Sequence, residues 1–230
     1  MQFIERSFLG LRSARHVLRS PERAATVTLF PMVHVGEARF YDKVYRDALD
    51  HDVLLFEGVK SPVVQHLTRS YRWTDGGRLG LVTQPRLPAG TGRAERVHAD
   101  VTREEFEAAW KQLPLPIRAY FFAAAPLVGV RRRYFTTRES LAKGCNVDDL
   151  SSRKRWLHWD AETALFQDVL LHQRDTRLCE RLVHLLEREE HASIAIMYGA
   201  AHMPAVTRTL FEHARYRPAA SEWMTVFEME

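Results

Sequence analysis

From Thr26 the chain runs apolar through Val27, Leu29, Phe30, Met32 and Val33, then delivers His34, Gly36 and Glu37. After that the period changes: Phe40, Tyr41, Val44, Tyr45, Ala48 and Leu49 recur at helical spacing. The pattern predicts a buried strand ending at or just past His34 and a helix beginning near Glu37. A second apolar run, Asp52 to Phe56, is closed by Glu57 and Gly58. Strand, helix and strand in close succession make a βαβ unit, whose strands are parallel.

Residues 1 to 24, apolar and charged by turns, predict a surface arm or short helix. Residues 60 to 78 predict a helix and a glycine turn at Gly76-Gly77, and Leu79 to Thr83 a third strand leading to Gln84. The stretch from Pro85 to Gly92 is loop by composition, and Val97 to Ala99 predicts a short strand ending at Asp100. Thr102 and Glu105 are spaced as a capping box for the next helix. From there to about residue 190 only helical patterns occur: an apolar helix over Ile117 to Val130 with Pro126 as a kink, a polar connection from Lys143 to Arg155, and a long amphipathic helix from about Asp160 to Glu189. A strand returns at Ala192 to Tyr198, followed by Gly199-Ala200-Ala201-His202 and a helix with Val206, Leu210 and Ala214 on one face. Glu222 to Glu228 predicts a last strand at the sheet edge. The expected fold class is α/β, a mainly parallel sheet flanked by helices. A helical insert or cap at about 101–190 separates the N-terminal and C-terminal strands of a single domain covering residues 1–230.

Composition narrows the class. Hydrophobic residues make up 46% and charged residues 27%, which is globular. The formal charge of +4 is interspersed with acids along most of the chain, an arrangement unlike a nucleic-acid binder. The tight basic run Arg131 to Arg133 fits a solvated helix end. Two cysteines, Cys145 and Cys179, are too few for a disulfide framework and fit a reducing compartment. The N-terminus has no uninterrupted apolar region of a secretory signal, and the apolar stretch from Ala119 to Val130 is short of the roughly 20 residues that span a bilayer. No membrane span and a cytoplasmic location are expected, and self-association into a homo-oligomer stays open.

The candidate chemistry lies at strand ends. His34, Glu57 and His202 each terminate a predicted buried strand. In an open parallel sheet such positions face the crevice where ligands bind. Two imidazoles and a carboxylate are a familiar ligand set for a divalent metal, with positions left for water and substrate. Singly, each also fits a structural role, such as a helix cap or an ion pair. Asp175 interrupts the stripe of Leu171, Leu178, Leu182 and Leu185 on the long helix, with Arg174 at its border. A site serving packing alone would prefer an apolar residue there.

Together these residues resemble the TraB/PrgY/TIKI/GumN superfamily and, more distantly, the erythromycin esterase and ChaN-like proteins. The similarity covers about residues 25–60 and 165–215. Gly199-Ala200-Ala201-His202 matches the family's second G-x-x-H, and Glu57 in LLFEG its strand-ending glutamate. The first G-x-x-H departs, with Pro31 in the glycine position before His34, and the family's Arg-Asn pair appears as Arg174-Asp175. The resemblance implies a metal-dependent, peptidase-like hydrolase of the TIKI type acting on a peptide or small-molecule substrate. A divalent ion (Mn, Co or Zn) held by His34, Glu57 and His202 would activate water, with Glu57, Arg174 and Asp175 as catalytic residues. Arg174 would stabilise an oxyanion, and Asp175 would be a further ligand or would fix a histidine tautomer. Glu37 is a candidate proton shuttle that also suits a first helical turn, and Gln84 and Asp100 are further candidates at strand ends. The alternative is a non-catalytic binding protein that sequesters a peptide or a haem-like ligand, with the Phe121 to Val130 helix lining the pocket.

Overall fold

The computed structural model describes residues 1–74, 76–90, 92–145 and 171–229. In place of the arm or short helix expected for residues 1 to 24, the chain opens in two strands, β1 (Ile4–Arg6) and β2 (Gly10–Arg19). The pairing register of β2 shifts between Leu11 and Arg12 and again between Val17 and Leu18. Such irregularities break the two-residue alternation by which a strand is recognised. The polar residues that β2 buries are satisfied. Ser13 Oγ donates to the Pro31 carbonyl at 2.6 Å, and the His16 ring nitrogens meet Ser221 Oγ at 2.7 Å and the Gln2 carbonyl at 2.8 Å.

The βαβ unit forms as its pattern predicts, from β3 (Thr26–Met32), α1 (Ala38–Leu49) and β5 (Val53–Phe56), with a two-residue β4 (Val35–Gly36) before the helix. β3 stops two residues short of His34. Pro31, buried inside β3, costs no pairing with β2, because that ladder extends only from Val27 to Leu29. A proline lacking its N–H is tolerated where no ladder bond is required. The short helices α2 (Pro62–Thr68) and α3 (Gly76–Leu79) come next. The third strand expected at Leu79 to Thr83 is corrected. Leu79 ends α3, and the strand β6 is only Val82–Thr83, paired antiparallel with β4 in a separate two-stranded sheet.

The main sheet is completed by β7 (Glu95–His98), β8 (Ser193–Gly199) and β9 (Arg217–Glu228). Its order is β1-β2-β3-β8-β5-β7, with β9 paired along β2. The strands β3, β8, β5 and β7 are mutually parallel, and β1, β2 and β9 join through antiparallel ladders. The last strand to enter the parallel set, β8, is inserted between β3 and β5, so the ends of four strands come to one edge.

Side chains alternate across this sheet. Leu29, Val53, Leu55, Ile194, Ile196 and Tyr198 face one core, where α7 (Gln173–Arg188) and α8 (Met203–Ala214) pack with Leu178, Leu182, Val206 and Leu210. Phe30, Leu54, Ala195 and Met197 face the other, covered by Phe40, Tyr41, Val44 and Ala48 of α1. Truncating any of these buried leucines to Ala would cost about 2–5 kcal/mol. The described part of the long helix packs as a layer on the sheet.

Between β7 and α7 lie α4 (Arg103–Gln112), α5 (Leu115–Phe135) and α6 (Arg138–Gly144). The expected capping box opens α4, with Glu105 N–H donating to Thr102 Oγ1 at 3.1 Å and Thr102 N–H to Glu105 Oε2 at 2.8 Å. Val101, Phe106 and Trp110 form a third, smaller core with α2. The predicted connection from Lys143 to Arg155, past Cys145, and the first part of the predicted helix from Asp160 lie outside the described residues. Among the described residues no single helix is long and apolar enough to cross a membrane.

Candidate functional site

Each parallel strand delivers a polar residue to the same edge. His34 follows β3, Glu57 follows β5, Asp100 follows β7, and Tyr198, Gly199 and His202 end or follow β8. The chain leaves β5 through Gly58 at φ 155°, and the Gly58 N–H donates to Asp100 Oδ2 at 3.0 Å. Val101 N–H donates to the other carboxylate oxygen at 2.8 Å. Asp100, fully buried in its side chain, thus ties the end of β5 to the end of β7.

Onto this edge α7 presents Arg174 and Asp175. Arg174 donates from Nε to Asp100 Oδ1 at 2.8 Å and from Nη2 to Asp100 Oδ2 at 2.7 Å, and Nη2 also reaches Glu57 Oε2 at 3.0 Å. Asp175 Oδ1 lies 2.6 Å from His202 Nδ1. The His202 imidazole is buried, because the turn Ala200–His202 and the start of α8 press it against Tyr198, edge-on at 4.8 Å between centroids. The Arg174 guanidinium lies 5.5 Å from the centroid of the same Tyr198 ring. Glu57 and His202 flank Gly199: a Cβ there would lie 3.6 Å from both Glu57 carboxylate oxygens and 3.4 Å from His202 Cδ2.

His34 stands on the far side of the cluster. Its carbonyl accepts the Gln84 N–H at 2.8 Å, and its ring lies against Tyr71 at 4.6 Å between centroids. Tyr71 in turn carries Arg132 of α5, whose Cζ is 3.8 Å from the ring centroid and whose Nη1 bonds Ser70 Oγ at 3.2 Å. The basic run is therefore not simply a solvated helix end, since its middle residue turns inward to the site.

These contacts set the charges. Burial would raise the Asp100 carboxyl, but Arg174 and the two backbone N–H groups hold it below its ordinary value. Burial also opposes the Arg174 charge, yet Asp100 and Glu57 outweigh it and push its pKa up. Crowding by protein lowers the His34 pKa; Glu57 opposes the shift, and Arg174, Arg132 and His202 add to it. His34 is nevertheless exposed as a residue, which moderates that shift. The Tyr198 hydroxyl is buried beside the same carboxylates. It lies near enough to Asp100 and Glu57 to be affected by their charges, and burial pushes its pKa up.

The structure thus brings together His34, Glu57, Arg174, Asp175 and His202, and adds Asp100 as the residue that anchors Arg174. Gln84 takes part through its backbone. Glu37 serves elsewhere: its carboxylate meets Arg39 at 2.5 Å, Arg138 at 3.4 Å and the Glu228 N–H at 3.2 Å, bracing α1 against β9 and α6. Sequence reasoning missed Tyr71, Tyr198 and Arg132. The phenol closing an apolar strand just before Gly199 was the available signal for Tyr198.

His34, Glu57 and His202 have the donor types for a divalent ion. Among the described residues no group of three or more His, Cys, Asp or Glu side chains could hold a metal ion. Glu57 is engaged by Arg174, and His202 Nδ1 by Asp175. A concavity of about 870 Å³ lies away from the cluster and is lined by Arg6, Arg78, Arg138 and Lys143 among others. A groove of about 470 Å³ between α7 and α8 reaches Asp175 from behind. Comparison of the chain with known protein families, with curated proteins and with solved structures gives no match, so the functional reading rests on the chemistry of this cluster.

Proposed function

We propose that this protein is a hydrolase that adds water across the carbonyl of a peptide-like, amide or ester substrate at the carboxyl edge of its parallel strands. The observation that carries this reading is the Asp175–His202 contact at 2.6 Å beside an arginine fixed by two carboxylates. A carboxylate on Nδ1 favours the tautomer that leaves the Nε2 lone pair free to accept a proton, and it stabilises the imidazolium that results. In the proposed reaction Nε2 takes a proton from water as the water oxygen bonds to the carbonyl carbon. The carbonyl oxygen becomes anionic and is stabilised by the fixed charge of Arg174. The carbon–nitrogen or carbon–oxygen bond then breaks, and the proton returns from Nε2 to the leaving group. His34, whose lowered pKa favours the neutral ring near pH 7, supplies a second proton acceptor facing Glu57.

The test is hydrolysis of ester and peptide panels by protein purified without added metal, with chelator and with Mn, Co or Zn in separate arms. Hydrolysis that survives the chelator and falls by about 10²–10⁴ in His202→Ala supports this reading. Activity that appears only with added metal and depends on Glu57 and both histidines would replace it with the metal-dependent route that the resemblance implies. Peptide or haem that binds without turnover would assign the cluster to sequestration.

A further inference from the structure

The longest described helix, α5, buries one of its 21 residues, Gly129. Its inner side is fixed on the turn over Arg69–Trp73, where Gly129 backs onto the Trp73 ring and Arg132 stacks on Tyr71. Its outer side carries Tyr120, Leu127, Val130 and Tyr134 at spacings of seven, three and four, and these residues are exposed by 64%, 70%, 44% and 63%. Phe135, at the end of the helix, is 76% exposed. One helix face with apolar residues so far in water marks an interaction surface rather than ordinary scatter.

Charge identifies the partner. From Ala108 to Arg138 the chain has no acid and six basic residues, and Arg131 and Arg133 are exposed beside the apolar stripe. A second copy of this helix would bring arginines against arginines, with no carboxylate on the helix to pair them. A lipid surface supplies both complements: phosphates for the guanidinium groups, and a headgroup boundary that accepts tyrosines at either end with leucine and valine between. The bend of 115° between α4 and α5 keeps the pair from forming one straight span, so the helix would lie along the surface.

We propose that the outer face of α5 docks this protein on an anionic bilayer surface. The proposal is independent of the hydrolase reading, although Arg132 and Tyr71 place the docking helix beside His34.

The experiment is flotation of the full chain with vesicles of phosphatidylcholine alone and of phosphatidylcholine mixed with phosphatidylglycerol. Partitioning into the anionic vesicles, weakened by salt, is expected. Arg131→Gln with Arg133→Gln should weaken it about 25-fold, from a factor of about five for each basic residue near such a surface. Leu127→Gln with Phe135→Gln should weaken it about tenfold or more while leaving the melting temperature in place. Failure to partition overturns the proposal. So does partitioning that ignores Leu127 and Phe135, because that would be adsorption by net charge alone. A chain that sediments as an oligomer, becomes monomeric in the Leu127→Gln, Phe135→Gln variant and binds no vesicles would assign the face to contacts between copies and would equally overturn it.

Discussion

Arg174 donates to both oxygens of Asp100, from Nε at 2.8 Å and from Nη2 at 2.7 Å. Asp100 also accepts the N–H groups of Gly58 and Val101. One buried carboxylate therefore fixes the arginine and joins two strand ends. Asp100→Asn weakens these charge-assisted bonds but leaves Arg174 its Glu57 partner, so stability should fall by about 1–3 kcal/mol in urea denaturation. The pH dependence follows from the lowered Asp100 pKa. Its contribution is complete above the unfolded carboxyl value of about 4 and is lost as pH falls through the lower folded value. Wild type should therefore lose stability below about pH 4 more steeply than Asp100→Asn. Parallel acid curves for the two proteins would mean that Asp100 is not the ionised partner of Arg174.

Asp175 is read differently once its partner is known. By sequence it is an acid on a leucine stripe, where an apolar replacement looks harmless. In the structure it holds the buried His202 Nδ1. Asp175→Leu should orphan that nitrogen and destabilise the fold by about 1–3 kcal/mol. Asp175→Asn can still accept from Nδ1 and should keep most of the stability, while losing the charge that supports an imidazolium. Thermal melting alongside hydrolysis separates the two effects. A stabilised Asp175→Leu variant that keeps full activity would remove Asp175 from the site.

For His34 the sign is opposite to that of a histidine gaining an anionic partner. Its folded pKa is lowered, so any stability it lends is present above the unfolded value of about 6.5 and is lost as pH falls toward the folded value. Titration of the His34 ring by NMR should give a midpoint below about 6.5. Arg132→Gln removes one of the charges that lowers it and should move the midpoint upward. If His34 takes part in hydrolysis, the acid limb of kcat/KM moves with it. A midpoint unchanged by Arg132→Gln would mean that solvent screens that charge completely.

The sequence shows the local features of this fold clearly. The change of period after His34 marks the β3 to α1 transition, and Thr102 with Glu105 marks the start of α4. It hides β2, because register shifts and arginines blur the alternation of a strand covered on both faces. It also hides the insertion of β8 between β3 and β5, since parallel pairing is set by contacts across about two-thirds of the chain. The strand-end rule places His34, Glu57, Asp100 and His202 at one edge. It does not say that Asp100 and Arg174, 74 residues apart, would pair. That pairing fixes the guanidinium and engages one oxygen of the Glu57 carboxylate at this edge.

Gly199 offers a test of the space between Glu57 and His202. Its backbone is at φ −51° and ψ 138°, a conformation open to any residue. A Cβ there would meet its neighbours at 3.4 to 3.6 Å, which is ordinary contact. Gly199→Ala should therefore fold normally and gain about 0.4–1 kcal/mol, because alanine loses less chain entropy than glycine on folding. The added methyl would lie between the Glu57 carboxylate and the His202 ring, where the proposed reaction needs water or the substrate carbonyl. A displacement of that size at a reacting centre costs on the order of a hundredfold. The expected result is an unchanged or raised melting temperature with kcat/KM reduced by about that factor. Full activity in Gly199→Ala would show that the substrate does not enter between these two side chains, and the proposed reaction would have to move to the open His34 side of the cluster.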